Sequence, residues 1–435
     1  MKYLLLTDIP PCTNLTAGLV LDQLCQFMPP GSISCFTVLN PHLRPDVRPE
    51  LSWLLIAYAA KPNELGVRRP RDSILGAPLS WAIEAYHRWG EVPKLIRKAE
   101  IFARDAGVDA IWAVLQGQTI IRMALPLAER LGVPLFTQVW DPPSWWLRAH
   151  DVNRLHARAV LRQFAATMRG SRACATASRA MADTYSQRYG TRCVPVIAGH
   201  DVAGSAEPAS ALSHPGEVTI AMAGQFYAAE EWNQLVHSLE LAQWQVAGRK
   251  VRIRILGGQA PAYGQRMPQI EFLGWRSQSE AVQILSQADI LYCPYPFAPE
   301  MEEVSRLSFP SKLVLYLACG RPILFHGPEW SSPGKYLADR QAGLICNQLS
   351  CAAIYNELQR FVIDPALYRQ AASNASAAFR KDFTLSRMRQ SFCEFLGIPE
   401  ESLRRPVEAR GIPRIPPEAT ELSPSLEQNR LPMRA

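Results

Sequence analysis

Residues 307–324 read Leu-Ser-Phe-Pro-Ser-Lys-Leu-Val-Leu-Tyr-Leu-Ala-Cys-Gly-Arg-Pro-Ile-Leu, and Lys312 is the one that local structure explains least. Ser308 or Ser311 can cap a helix beginning there, with Pro310 in its first turn. A lysine in that turn opposes the helix dipole, so a purely structural helix gains nothing from it. Free amides at a helix start, together with Lys312, instead make a seat for a diphosphate. Two other loops carry compatible chemistry. In Ala223-Gly-Gln-Phe-Tyr, Gly224 either makes a tight turn or lets a ligand approach the backbone beside Gln225. In Phe272-Leu-Gly-Trp-Arg-Ser-Gln-Ser-Glu, a strand ending at Gly274 presents backbone groups to the edge of a nucleobase, and Trp275 or Arg276 then lies against the base or reaches phosphate.

The first half offers a different set. Asp141, in Val139-Trp-Asp-Pro-Pro, ends a strand and can orient or deprotonate a hydroxyl, or merely cap the turn through Pro142-Pro143. Gly18 either brings backbone up to phosphates or acceptor, or opens a helix. Trp145 and Trp146 cannot both be core on one helix, so at least one is exposed or lines a cleft. Cys12 has no histidine placed to activate it, and His200-Asp201 reads as structural.

The elements that position these residues follow from periodicity. Short apolar runs alternate with helix-period stretches, the pattern of βα units on parallel sheets. Strands are expected at Lys2–Thr7, Ser34–Leu39, Ala110–Leu115 and Pro134–Val139, with helices from near Thr16, over Lys94–Ala106 and over Gly117–Leu131, the last stopping at Gly132. Pro41–Arg88 reads as an irregular insertion or a mobile element on that scaffold. The pattern restarts with strands at Val218–Ala223, Val251–Leu256, Ile270–Leu273, Ile290–Cys293, Pro322–Phe325 and Gly343–Ile345, and helices at Glu230–Ala247, Ser277–Gln287 and Ser311–Ala318. Ligands of such sheets bind beyond the carboxyl ends of the strands, where all the loops above lie.

The Ser-Phe-Pro-Ser-Lys-Leu…Tyr-Leu-Ala-Cys-Gly-Arg-Pro-Ile-Leu stretch resembles the donor-binding segment of glycosyltransferase family 4 enzymes of the GT-B fold. The Leu-Gly-Trp–helix–Ala-Asp-Ile run ending in Pro-Tyr matches that family in order and spacing, and Phe383-Thr-Leu with the following helix resembles its C-terminal crossover. Thr16-Ala-Gly, Val139-Trp-Asp and Ala177-Ser…Met181-Ala agree more loosely. The resemblance implies an α/β fold of two Rossmann-like domains facing across a cleft. Residues 1–205 form the acceptor side, 206–382 the donor side, 383–398 the crossover helix, and 399–435 a disordered tail. It implies transfer of a sugar from a nucleotide diphosphate sugar to a glycan, lipid-linked sugar or other hydroxyl acceptor. No metal or separate cofactor is needed, because helix amides and Lys312 neutralise the leaving diphosphate. Alternatives are a sugar-nucleotide epimerase of the same fold and a binding protein that has lost catalysis. Two departures bear on that choice. The family's ribose-gripping glutamate, three residues after the lysine, is Leu315 here, which leaves Glu303, among Glu300, Glu302 and Glu303, as the carboxylate to approach the donor sugar. The basic pair common after the first donor-domain strand is also missing, with Gln225 and Glu230-Glu231 in that region.

Composition sets the outer limits. A chain of 435 residues with 48% hydrophobic and 20% charged residues is soluble and long enough for two domains. The apolar start is too short for a signal peptide, and the ten scattered cysteines form no zinc-spaced pairs, so a reducing cytoplasm is expected. The net charge of +7 is concentrated in the first half: nine basic against five acidic residues lie between Lys61 and Arg104. Arg68, Arg69, Arg71, Lys94, Arg97 and Lys98 are expected to form a basic face toward anionic lipid or an acceptor phosphate, giving peripheral attachment at the inner face of a membrane. Nucleic acid is not an expected partner, since no RNA-binding or helix-turn-helix pattern is present.

Overall fold

The computed structural model describes residues 1–64, 76–201, 205–258 and 260–405. Arg68, Arg69, Arg71 and the linker glycine Gly204 lie outside the described residues.

The first half forms a seven-stranded sheet, ordered β3-β2-β1-β4-β5-β6-β7 and parallel throughout. Its strands are β1 (Tyr3–Thr7), β2 (Ile33–Leu39), β3 (Leu55–Ala60), β4 (Ala110–Val114), β5 (Leu135–Val139), β6 (Ala173–Thr176) and β7 (Cys193–Pro195). The central strands β1, β4 and β5 are buried at every position, as strands covered by helices on both faces must be. The covering helices carry matching stripes. In helix Val92–Ala106 the buried residues Val92, Leu95, Ile96, Ala99 and Ala103 follow the helical period. Helix Gly117–Leu131 ends where Gly132 adopts φ 67°, a left-handed conformation that glycine tolerates without penalty.

The second half repeats the design. Strands β8 (Glu217–Ala223), β10 (Arg249–Leu256), β11 (Ile270–Gly274), β12 (Ile290–Pro294), β13 (Ile323–His326) and β14 (Gly343–Cys346) lie parallel in the order β11-β10-β8-β12-β13-β14. A short β9 (Gln245–Val246) pairs antiparallel with β10. The strand order reverses direction between β1 and β4 in one sheet and between β8 and β12 in the other. At such switch points adjacent loops splay apart and leave a crevice.

The halves are joined twice. His200 N donates to Phe383 O at 2.8 Å and Leu385 N to His200 O at 3.0 Å, so the linker and the returning chain cross side by side. Helix Leu385–Leu396 then packs on the first sheet, with Phe392 5.0 Å from Trp112 and Phe395 5.7 Å from Phe136 between ring centroids.

Three expectations need correction. Pro41–Arg88 is not irregular throughout: its described residues include β3 and the helix Gly76–Tyr86, and residues 65–75 lie outside the described residues. Because β3 is an edge strand, with Leu55 and Tyr58 exposed, it lacks the alternation that marks a half-buried strand. The helix from Ala229 stops at Leu241 rather than Ala247, because the chain turns into β9. Finally, residues 400–405 are docked and do not belong to a loose tail: Leu403 is buried and Arg404 N donates to Phe27 O at 2.7 Å. Residues 406–435 lie outside the described residues.

Candidate functional site

The carboxyl ends of the two sheets meet at loops that touch. Ser308, just before helix Ser311–Ala318, donates to Asp141 Oδ1 at 2.9 Å and to Trp140 O at 3.1 Å, both at the end of β5. Ser178 donates to Leu307 O. Ser144 donates to Glu303, whose carboxylate also pairs with Arg148 at 2.9 Å, and Trp145 Nε1 lies 3.2 Å from Met301 Sδ.

On the second-domain wall, Lys312 is 8% exposed. Its Nζ donates to Pro294 O at 3.4 Å and stands 4.3 Å from the Tyr227 ring centroid. Among the described residues no carboxylate pairs with it. Burial pushes its pKa down, opposed only by the Cys293 thiol. Taking an ammonium out of water without a counter-ion is expensive, so the arrangement suits an anion brought by a ligand.

The loop after β8 lies against this lysine. Gly224 has φ 99°, and a Cβ there would sit 3.6 Å from Lys312 Cβ and Cδ. Tyr316, one turn beyond Lys312, binds the end of β8: its hydroxyl accepts from Ala223 N at 2.6 Å. Gly257 closes in from β10, where a Cβ would meet Gly224 O at 2.7 Å. The two glycine loops and Lys312 therefore form one compact unit, with Gln225 exposed at its edge. Gly274 N–Cα–C closes β11 with φ 73° and its carbonyl accepts from Gly257 N at 3.0 Å, while Trp275 stands 55% exposed. Arg276 is folded back, donating to Trp275 O at 2.9 Å.

Ser308 and Ser311 do not cap the helix. Pro310 occupies the cap position with no side-chain hydrogen bond, Ser311 is exposed, and the Ser308 hydroxyl is used across the cleft. The first-turn amides consequently have no side-chain acceptor from the cap. Leu315, where the resemblance calls for a glutamate, packs half-buried on the second-domain core.

The first-domain wall presents Asp141. Asp141 is exposed to solvent where the two domains meet at Ser308; the surrounding protein raises its pKa and the Ser308 hydrogen bond lowers it. Beside it is a small cavity lined by Gln116, Ile121, Trp140 and Trp146. The tryptophan pair thus divides its work: Trp146 lines this cavity and stacks on His150 at 4.3 Å, and Trp145 reaches across to Met301. Gln116 Oε1 is buried there without a hydrogen bond among the described residues. Gly18 is placed differently. It is buried, and a Cβ would collide with Cys12 Sγ, so its missing side chain makes room for its own loop. Glu303 faces the first domain rather than Lys312 and is already engaged by Ser144 and Arg148.

Sequence reasoning missed an ion-paired triad at the β1/β4 switch point, with Asp8 and Glu64 buried and Lys61 half-buried. Lys61, after β3, pairs with Asp8 at 2.8 Å and Glu64 at 3.1 Å. Glu64 Oε1 also accepts from Thr119 N at 2.6 Å. Only tertiary structure brings the three together, and Glu64 is held close enough to Gly117 to exclude any side chain there. Among the described residues no three His, Cys, Asp or Glu side chains gather as a metal site would require.

No family model matches the chain, and no curated protein matches it in sequence. Among solved structures, HepE of Anabaena in complex with UDP is similar over 91% of this chain and 100% of its own, with a TM-score of 0.62 and 15% identity. Sucrose-phosphate synthase from Thermosynechococcus elongatus covers the same shares, with a TM-score of 0.62 and 13% identity. The lipopolysaccharide outer core galactosyltransferase WaaB, in its apo form, is similar over 91% of this chain and 99% of its own, with a TM-score of 0.58 and 11% identity. Two parallel Rossmann-like sheets, joined by a returning C-terminal helix and meeting at their strand ends, give this chain the GT-B fold that it shares with these structures.

Proposed function

We propose that the chain is a glycosyltransferase that binds a nucleotide diphosphate sugar against Lys312 and passes the sugar to a hydroxyl acceptor held by the first domain. The observation that carries this reading is Lys312: a buried cation with no carboxylate partner among the described residues, at a helix start and against the Gly224 loop. Negative charge grows on the leaving diphosphate as the glycosidic bond breaks, and a fixed ammonium with helix amides stabilises it most at that moment. Gly274 and Trp275 flank the base, with Arg276 and Gln225 at the edges of the donor site. Asp141 orients or deprotonates the acceptor hydroxyl, in the cavity beside Trp146. HepE has been solved with UDP and with UDP-glucose, which makes these the first ligands to try. Titration calorimetry with UDP, then release of labelled sugar from UDP-sugars, tests the proposal. Absence of binding by every nucleoside diphosphate would overturn it.

Leu315 favours a second reading, a protein that holds the donor without turning it over, since an apolar side chain cannot grip ribose hydroxyls. Tight donor binding with no release or transfer of sugar identifies that case.

The acceptor side suits a lipid surface. Leu79, Trp81, Tyr86 and Trp89 are between 44% and 60% exposed, and Arg88, Lys94, Arg97 and Lys98 are exposed nearby. Aromatic side chains flanked by cations are at home at a membrane–water interface. Among the described residues no helix is long and apolar enough to cross a membrane, so attachment through this face is peripheral. Co-sedimentation with anionic vesicles at low salt, and not with neutral ones, is the expected result.

A further inference from the structure

The helix Pro143–Ala149 has a cavity on each side. One adjoins Asp141. The other, of about 160 Å³, is bounded by Ser144 on that helix, Arg169, then Tyr185, Arg188 and Tyr189 on helix Arg179–Tyr189, and Glu303 from the second domain. That volume far exceeds the roughly 15 Å³ that one water needs on the same measure.

The groups around it are unmatched in a particular way. Tyr185 is 2% exposed and its hydroxyl makes no hydrogen bond among the described residues. Arg169 and Arg188 are exposed at the solvent side, and neither makes an ion pair among the described residues; Arg188 only overlies the Tyr189 ring at 5.4 Å. Glu303 is engaged by Ser144 and Arg148, so its charge is already balanced. What is left is two guanidiniums and a buried phenol around a space large enough for a small anion as well as water. A tetrahedral oxyanion satisfies all three, because guanidiniums bind such oxygens in pairs and a phenol donates one bond more.

We infer that this cavity is a second ligand site, for inorganic phosphate or the phosphate of a small phosphomonoester, built between the two domains and separate from the Lys312 site. Residues from both domains contribute to it. Glu303 lies on helix Glu302–Leu307, which runs directly into Ser308 and Lys312. The inference does not depend on the chain being a transferase.

The test uses the full chain with sodium phosphate and, separately, glucose 6-phosphate as the monoester probe, against sodium chloride of equal ionic strength. A saturable rise in melting temperature is expected with phosphate and not with chloride, and it should persist in Lys312→Ala. The double variant Arg169→Gln/Arg188→Gln should weaken binding by about tenfold or more, and Tyr185→Phe should weaken it by a smaller factor without changing UDP affinity in phosphate-free buffer. Tighter binding of glucose 6-phosphate than of phosphate would assign the site to a monoester, and the reverse order to free phosphate. The inference is overturned if chloride reproduces the rise, if the double variant keeps it, or if Lys312→Ala abolishes it, the last placing phosphate in the donor seat.

Discussion

Two lysines, Lys61 half-buried and Lys312 buried, stand at the carboxyl edges of the two sheets, and they are treated in opposite ways. Lys61 in the first domain is held by Asp8 at 2.8 Å and Glu64 at 3.1 Å. Burial alone pushes its pKa down, but the two carboxylates outweigh it and raise the value above the ordinary lysine range. Lys312 in the second domain has a carbonyl and an aromatic face instead, and burial leaves its pKa lowered. Among the described residues the fold supplies carboxylate counter-ions for Lys61 and none for Lys312. In the function proposed above, Lys61 is architecture and Lys312 the binding group.

The contrast breaks most readily at Lys61. In Lys61→Met, Asp8 and Glu64 stay buried without their cation, and loss of one partner from such a cluster costs about 3–5 kcal/mol. Urea unfolding should show a large drop in midpoint, partly restored by Asp8→Asn and Glu64→Gln in the same chain. A change under about 1 kcal/mol would mean the triad is not holding the first domain together.

At Lys312 the expectation reverses. Lys312→Ala should leave unliganded stability unchanged or slightly higher, because an uncompensated charge is removed. Affinity for UDP should fall by about 1.5–3 kcal/mol, the worth of charge-assisted hydrogen bonds. Turnover should fall further, since the interaction strengthens in the transition state. Equal affinities in calorimetry, with binding measurable, would remove Lys312 from the donor site.

The pH dependence separates the two lysines again, with a smaller effect. The folded pKa of Lys312 lies below the ordinary lysine value of 10.5, so between the two the unfolded chain holds more protons. Its contribution to stability must therefore rise with pH toward 10.5. Lys61 has a folded pKa above 10.5, and its stabilisation is complete below that value and lost as pH climbs through the folded one. The stability difference between wild type and Lys312→Met, measured by denaturant at pH 8 and pH 10, should accordingly move in wild type's favour. Movement the other way would mean that Lys312 already has a counter-ion in the protein.

The sequence made one of these lysines legible and hid the other. Lys312 stood out because it violates a local rule, a cation at a helix start, and local rules can be read along the chain. Lys61, Asp8 and Glu64 violate nothing locally; only the parallel alignment of β1 and β3 around β2 brings them together. The same division runs through the fold. Central strands such as β1 and β4 announce themselves as apolar runs bounded by turn residues, whereas β6 has four residues and β7 three, too short to carry a pattern, and the apolar run of β3 lacks the alternation of a half-buried edge strand. Ser308 read as a helix cap, because sequence cannot reveal that the other domain supplies Asp141 at hydrogen-bond distance.

That hydrogen bond supports the smallest prediction. Asp141 is the first domain's counterpart to Lys312: no cation pairs with it among the described residues, the surrounding protein raises its pKa, and Ser308 lowers it. Ser308→Ala removes one partly solvated hydrogen bond between the domains, worth about 0.5–1.5 kcal/mol at most. UDP affinity should hardly change, since Ser308 contacts Asp141 and Trp140 rather than Lys312. The pKa of Asp141 should rise further, because the interaction favouring its charged form is gone. If Asp141 takes the acceptor's proton, the acidic limb of the kcat/KM profile must shift to higher pH, with little loss at the plateau. An unmoved limb would take Asp141 out of proton transfer. A shift that Lys312→Ala neither enlarges nor cancels would show that the two unpaired charges act independently, one on the leaving diphosphate and the other on the acceptor hydroxyl.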